Sequence, residues 1–459
     1  MKLEVSLGKA GEKGRRGPSD DGTRRLLVLG DFAGRGLRGD APAREPLATR
    51  AVARVRQAED GIDAAIQALS PALALPASIA GAAGALEISA LDDFHPDALF
   101  RRLAVFREPP RALAPAAAAP AGDGDDMARL LGKRPAAIAA QPPARSAIDD
   151  LIGQIVAKHI VSAPADAPLD AAALGPIMRA VLHQPAFQAL EARWRALALL
   201  VERADEAVEI AVLDVTREEL VADLPPGGDS ATLEGSALAR RILAPPGGRP
   251  FAALIGDFAF GPGAQDTALL ARLGALAAAA QAPFIAAAAP ALVGCRSLAG
   301  ANDPVGWEAL APEDAQRWQA LRRSPAAAWL GLALPRFLAR APYGAKTGAI
   351  DAFPFEEIEA RPAPEALCWA SGAFLWALAL ARGEEAEDAD EIDDLPFFSF
   401  RSDGDIEMYP SAEVFWGQRA ADAALSRGLV PLLCARNRNA VRLARQQSVA
   451  DPPRALGDA

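Results

Sequence analysis

The sequence predicts an α/β protein of two parts, and three observations carry that prediction. Strand-like segments alternate with segments of helical period along most of the chain, the grammar of a mixed or parallel sheet. One of them, Leu26–Leu29, is apolar without a break, as a strand buried on both faces must be. A stretch rich in proline, alanine and glycine, residues 109–145, carries GDGDD near its middle and reads as a linker at the main domain boundary.

The elements follow in order. Residues 2–6, KLEVS, alternate as a short strand, and the polar, glycine-rich segment 8–25 gives that strand a flexible arm. Beyond Leu26–Leu29, the residues Ile62, Ala65, Ile66 and Leu69 fall at helical spacing. Leu86, Ile88 and Ala90 alternate as a strand, and Pro96 opens a helix that reaches Phe106. Past the linker, Ile148–Ile160 and Ile177–Arg203 are helical by period, the second with Phe187, Leu190, Trp194, Leu197 and Val201 on one stripe. Val208–Val215 predicts a strand and Arg217–Leu224 a helix. Phe251–Ile255 is then a strand, 256–263 a loop, Thr267–Ala280 a helix and Phe284–Ala288 another strand. The acidic run EEAEDADEIDD at 384–394 marks an exposed loop. A strand at Asp405–Tyr409 leads into a helix through Ser426, and a further strand covers Leu429–Cys434. The basic tail after Asn437 ends in DPPRALGDA and is expected to fray, with 451–459 disordered.

Bulk properties narrow the function. A formal net charge of −11 over 459 residues argues against general nucleic-acid binding, because a phosphate backbone is neutralised by clustered Lys and Arg. Cys295, Cys368 and Cys434 are odd in number and far apart, which excludes a disulfide scaffold and fits the cytoplasm. The N-terminus has no apolar core of signal-peptide length. The most apolar window, 268–293, is broken by Arg272, Gln281, Pro283 and Pro290, so it reads as a buried helix and strand and not as a membrane span.

The motifs that resemble chemistry do not complete it. LLVLGDFAGRG, residues 26–36, runs from a strand into a glycine-rich turn, and ALIGDFAFGPG, residues 253–263, repeats its outline. The first has the spacing G-x-x-x-G-x-G, which fits neither phosphate-loop pattern, and Asp31 would repel an anion there. A tight turn leaving a buried strand is the simpler reading. His95, His159 and His183 show no metal-ligand spacing. HPD at 95–97 matches the tripeptide of J-domain cochaperones, but here it follows a strand and opens a helix, so Asp97 is expected to support the helix N-terminus. Ser297 has no G-x-S-x-G elbow and no histidine partner in sight. No catalytic residue, cofactor or metal ligand is expected.

Two sets of residues carry a family resemblance. LLVLGDFAGRG, PLATRAVARV (46–55) and LDDFHPDALFRRL (91–103) resemble the small subunit (TssB/VipA-like) of the type VI secretion contractile sheath. VLHQPAFQALEARWRALALLVERA (181–204), FAALIGDFAFGPGAQD (251–266), APFIAAAAPALVG (282–294), LGLALPRFLARAPYGAKTGAI (330–350), the aromatic segment near Trp369–Phe374 and GLVPLLCARN (428–437) resemble the large subunit (TssC/VipB-like), in family order.

That resemblance implies a fold of two sheath-type α/β halves with mixed sheets flanked by helices, joined by the Pro/Ala-rich linker. The halves are 1–108, small-subunit-like with its arm strand, and 146–450, large-subunit-like. The implied function is a structural component of a tube that contracts to propel an inner tube and effectors. The alternative is a non-polymerising adaptor, cap or regulator retaining the sheath-dimer core, because family large subunits continue well past the position of Ser448.

The assembly strand is then Lys2, Leu3, Glu4, Val5 and Ser6, acting by β-augmentation. The family-motif structural residues are Gly30, Asp31, Phe32, Asp92, Asp93, Phe94, His95, Pro96, Trp194, Gly256, Asp257, Phe258, Pro335, Arg336, Pro342, Tyr343 and Gly344. In both copies the GDF motif is expected at a strand-to-loop turn. Implied partners are copies of itself or other sheath subunits, an Hcp-like inner-tube protein and a baseplate, in the bacterial cytoplasm. A ClpV-like recycling ATPase is the weakest of them, since the segment overlapping its family site has no counterpart here. Neither nucleic acid nor direct membrane insertion is implied.

Overall fold

Residues from both parts of the chain build one central sheet. The computed structural model describes residues 23–39, 45–58, 60–76, 85–107, 171–224, 233, 235–245, 247–359, 361–382, 390–402, 405–434 and 438–457. The arm strand 2–6, the linker 109–145 and the helix expected at 148–160 lie outside the described residues.

Strand β1 (Arg24–Gly30) is the unbroken apolar run. A glycine turn and the single helical turn α1 (Arg35–Arg38) lead to β2 (Ala53–Val55), α2 (Gly61–Leu69) and a small hairpin of β3 (Ala72–Ala74) and β4 (Ala85–Glu87). Helix α3 (Pro96–Arg102) opens on proline as expected but stops at Arg102, and a 3-10 turn covers Ala104–Phe106.

The second part opens with α4 (Ala171–Leu182) and α5 (Pro185–Arg203), where the period alone suggests one helix. Pro185 explains the break: it lacks an N–H and drives Gln184 into extended backbone, at φ −63° and ψ 123°. Strand β5 (Val208–Asp214) precedes α6 (Arg217–Asp223) and α7 (Ala237–Leu243). Then β6 (Ala253–Phe260), α8 (Ala264–Ala280), β7 (Phe284–Ala288), α9 (Pro312–Arg322) and β8 (Leu330–Leu334) alternate. The short pair β9 (Phe337–Leu338) and β10 (Trp369–Ala370) brackets a long loop before α10 (Gly372–Ala381). Strand β11 (Glu391–Ile392) follows, and β12 (Phe398–Ser402) and β13 (Asp405–Tyr409) make a separate hairpin. Helix α11 (Gln418–Ser426), β14 (Val430–Cys434) and β15 (Val441–Leu443) complete the set.

Among the described residues the main sheet has nine strands, in the order β11-β15-β14-β8-β7-β6-β1-β5-β2. From β14 to β5 every pairing is parallel, and β15, β11 and β2 add antiparallel edges. The α/β class is as the sequence predicts, but the expectation of a sheet in each half is corrected: β1 lies between β5 and β6. The reason is its composition, because Leu26 and Val28 enter one apolar layer while Leu27 and Leu29 enter the other. A strand apolar on both faces must be covered on both. Helices α2, α3, α4, α5 and α10 cover one face, and α6, α7, α8, α9 and α11 cover the other.

Three further expectations are corrected. The segment 256–263 is not a loop; β6 continues to Phe260, with its register against β7 slipping between Ile255 and Ala259. The second GDF is therefore an irregularity within a strand, while the first ends β1. The acidic run is not a loop at its end, which enters the sheet as β11 with Ile392 buried; residues 384–389 lie outside the described residues. Residues 451–457 pack back: Ala455 bridges Gln447, and the Gly457 N–H donates to the Ala328 carbonyl at 2.8 Å.

The two repeats lie side by side, Leu29 facing Gly256 across the β1/β6 ladder. A Cβ on Gly256 would come within 2.5 Å of the Phe284 ring, so only glycine fits there. Gly256→Ala is expected to lower stability by about 1–3 kcal/mol through overpacking. Gly263→Ala, where a Cβ meets nothing within 4 Å, should change it by less than about 0.5 kcal/mol. Equilibrium urea unfolding of the two variants checks the contrast; equal losses would contradict the packing at Gly256.

Candidate functional site

Parallel strands end on a common edge, and in open α/β sheets that carboxyl edge is where ligands and partners are met. Here it carries a row of charges: Asp31 follows β1, Asp214 ends β5, Asp257 sits in the irregular part of β6 and Arg336 follows β8. Most of the row joins segments of the chain to one another.

Asp31 closes the glycine turn. Its carboxylate accepts the N–H groups of Arg35 (2.7 Å) and Gly36 (2.9 Å), while Gly34 takes the left-handed backbone at φ 72° that the turn requires. The amides that an anion would need are thus already engaged. Burial raises the Asp31 pKa, with Asp214 adding to that effect and Arg193 opposing it.

Beside it, Arg35 donates to Asp214 (2.8 and 3.0 Å) and to Glu219 (2.9 and 3.0 Å), and Arg50 donates to Glu219 (2.7 and 2.9 Å). Thr216 and Glu219 form a capping box at the start of α6, which fixes the carboxylate in place. Burial works to raise the Glu219 pKa, but the hydrogen bonds from Arg50 and Arg35 outweigh it and hold this carboxyl well below the usual range. A cavity of about 760 Å³ lies here, and its arginines are already engaged with the carboxylates.

Helix α5 clamps this edge from above. Trp194 is fully buried, donates from Nε1 to the Phe32 carbonyl (3.1 Å) and meets the Phe32 ring edge-on at 5.1 Å. Arg193 donates to Asp257 and to the Asp31 carbonyl, joining the ends of β1 and β6. Phe187 meets Phe94 edge-on at 5.6 Å.

A second, buried cluster lies further along the same helix. Glu191 receives Arg195 (2.8 Å) and Arg340 (2.7 Å), and Arg340 also reaches both oxygens of Glu357 (2.7 and 3.1 Å) and stacks on Tyr343. The Tyr343 N–H donates to Glu357 and its hydroxyl receives Arg195. Burial opposes ionisation of Glu357, but Arg340 prevails and its pKa falls to about 2; burial and Glu191 push Tyr343 up to about 12. Two arginines balance two carboxylates, the condition under which buried charge is tolerated.

The remaining motif residues are structural as well. Asp93 accepts the Ser89 and Ala90 N–H groups and pairs with Arg102 (2.9 Å), whereas the exposed Asp92 contributes its carbonyl to the His95 N–H. His95 caps α3 by accepting the Asp97 N–H and meets Tyr343 edge-on at 5.0 Å; Pro96 occupies the first turn. Asp97 lies in the first turn of α3, where its charge suits the helix N-terminus as expected, and its carboxylate has a further use. It accepts N–H groups of Asp351 (3.0 Å) and Ala352 (2.9 Å), fastening the 340–357 loop. Phe258 is buried, Pro335 and Arg336 follow β8, and Arg336 forms a bidentate pair with Glu413 (2.7 and 2.9 Å). Pro342 and Gly344 flank Tyr343, and a Cβ on Gly344 would strike Glu356. Residues 2–6 lie outside the described residues.

The sequence reading missed Arg35, Arg50, Glu191, Glu219, Arg340 and Glu357. Two signals were present: Glu191 falls within the Phe187/Leu190/Trp194 stripe, where a charge must find a partner, and Thr-x-x-Glu at 216–219 is a capping box. Among the described residues no group of three or more His, Cys, Asp or Glu is placed to hold a metal ion, and no helix is long and apolar enough to cross a membrane.

Charged residues that join segments, on a sheet assembled from distant parts of the chain, define an interlocked structural α/β protein. The chain belongs to the VipB family of tail sheath proteins: residues 167–450 match the family described as "EvpB/VC_A0108, tail sheath N-terminal domain". A type VI secretion system sheath protein of Pseudomonas aeruginosa, TssC1, is 31% identical over 291 residues, 59% of this chain and 58% of that protein. The chain thus spans less than two thirds of that relative.

Trp194→Ala is expected to cost about 3–5 kcal/mol, the range for truncating a buried aromatic, and Arg340→Ala a similar amount by stranding buried carboxylates. Urea midpoints check both. Acid should act through Glu357 and Glu219, whose folded pKa values lie below the ordinary 4.5. Their stabilisation is complete above that value and is lost as pH falls from about 4.5 toward 2. Asp31, shifted upward, opposes them as one group against two. A urea midpoint that rises between pH 5 and 3 would contradict this balance.

Proposed function

We propose that this chain is a structural subunit of a type VI secretion contractile sheath in which residues 1–108 take the place of the small subunit. One observation carries the reading: β1, an interior strand third from the β2 edge of the sheet, comes from outside the stretch 167–450 that matches the family. Without it, β5 and β6 would face each other across a vacant strand position. Strands lie about 4.8 Å apart, so that gap is about twice the reach of a ladder hydrogen bond. A complementing strand is therefore needed between β5 and β6 in this sheet, and residues 24–30 of the same chain supply it.

The motif residues around that insertion, Gly30, Asp31, Phe32, Trp194, Gly256, Asp257 and Phe258, keep the two parts locked. Residues 2–6, on their glycine-rich arm, are the segment suited to join a neighbouring copy through backbone hydrogen bonds. A heterologous contact that does not close would extend such subunits into a tube around an Hcp-like protein. Work in that tube comes from relaxation of packing between subunits, so the sheath itself needs no catalytic residue.

Negative-stain electron microscopy of the full-length protein, alone and with its candidate inner-tube protein, tests the reading. Tubes are expected; discrete particles in both samples would transfer support to the adaptor or cap. A protease site introduced into 109–145 tests the insertion separately. After cleavage the two parts should co-elute in gel filtration, and their separation without denaturant would refute the shared sheet.

A further inference from the structure

A cavity of about 410 Å³ opens at the carboxyl ends of β6, β7 and β8, beside α5. Its wall is largely alanine and proline with Trp369, and four charged side chains reach it: Arg193, Asp257, Arg336 and Glu413. Its volume falls within the range of small-ligand sites, and its position is the crevice where α/β sheets take ligands. The register slip in β6 contributes directly, since Asp257 and Phe258 belong to the displaced residues and line the wall.

The two arginines retain unused donors. Arg193 uses Nε on Asp257 and Nη1 on the Asp31 carbonyl; Arg336 uses Nε and Nη2 on Glu413. Among the described residues nothing accepts from Nη2 of Arg193 or Nη1 of Arg336. Arg193 Nη2 is not a buried orphan, and the Arg336 side chain is half exposed, so both donors stay accessible. Glu413 is the reverse: its side chain is 3% exposed and both its oxygens are engaged. What remains for a visitor is one planar N–H donor on each of two cations, the complement of a carboxylate, with Asp257 Oδ1 as the one opposing acceptor beside Arg193.

We propose that this cavity binds a carboxylate, with Arg336 as the principal anchor and Arg193 as the second donor. Two sources carry that chemistry: a free dicarboxylic acid, or an acidic side chain of a second copy, whose run 384–394 carries eight of them, four at 384–388 ahead of the residues that enter β11. Charge complementarity between that run and Arg336 motivates the second source. The inference stands apart from the sheath reading, because it concerns one cavity in one chain and is measured by binding.

Isothermal titration of the full-length protein with succinate, and with a synthetic peptide of sequence EEAEDADEIDD, tests it. Saturable binding is expected. Arg336→Gln should weaken it about tenfold, the effect of losing a charge-assisted hydrogen bond. Glu413→Gln removes the competing carboxylate and should tighten binding at least threefold, a gain that a merely structural Arg336–Glu413 pair would not give. Succinate binding without peptide binding assigns a free acid; a peptide at least tenfold tighter than succinate assigns a second copy. No binding of either probe overturns the proposal, as does unchanged affinity in a folded Arg336→Gln protein. Should that variant unfold, unchanged affinity in Glu413→Gln overturns it instead.

Discussion

The insertion of β1 between β5 and β6 is the constraint on which the rest of this structure depends. Its ladder joins residues 24–30 to 208–214 on one side and 26–29 to 253–256 on the other. Every parallel strand from β14 to β5 is continuous only because that position is filled. The apolar layers on both faces also pass through it, with Val28 and Leu29 fully buried on opposite sides. A sheet can lose an edge strand and keep its core, but a vacancy at an interior position exposes two edges and divides both layers.

Electrostatics follows from that insertion. Once a strand from one part of the chain ends beside strands from another, their carboxyl ends crowd together, and the polar backbone there must be satisfied. Asp31, Asp214 and Glu219 accept those N–H groups and guanidinium forks, with Arg35, Arg50 and Arg193 as counter-charges. Surface pairs of this kind would contribute little. These are mostly shielded, and they fix which segment meets which. Helix α5 is the common bracket, since Phe187, Glu191, Arg193, Trp194 and Arg195 reach four separate regions of the chain.

Much of this was legible in the sequence where physics is local. The run Leu26–Leu29 announced a doubly covered strand, and the Phe187/Trp194 stripe announced the buried face of α5. What sequence could not supply was adjacency. Nothing in GDF at 30–32 or at 256–258 shows that the two copies lie side by side, because parallel pairing links residues more than two hundred positions apart. The loop expected at 256–263 failed for a related reason: two glycines within six residues usually mark a turn, yet Gly256 answers to the Phe284 ring. The buried Arg340 cluster was hidden because its members come from α5 and a distant loop, each ordinary in its local context.

Covalent connection between the two parts alters the physics of that interior strand. Were β1 carried by a separate chain, filling its position would forfeit translational and rotational freedom, a term of roughly 4–15 kcal/mol at molar standard state. Joined in one chain, the same insertion costs loop closure, which grows only as (3/2)RT ln n with the length of the connection, about 0.6 kcal/mol for each doubling. The closure term is independent of concentration, whereas the bimolecular one is not. A fused chain therefore completes its sheet at any dilution, in a first-order step. Completion of the sheet is thus separated from any contact the chain makes with another molecule, which alone would remain subject to mass action.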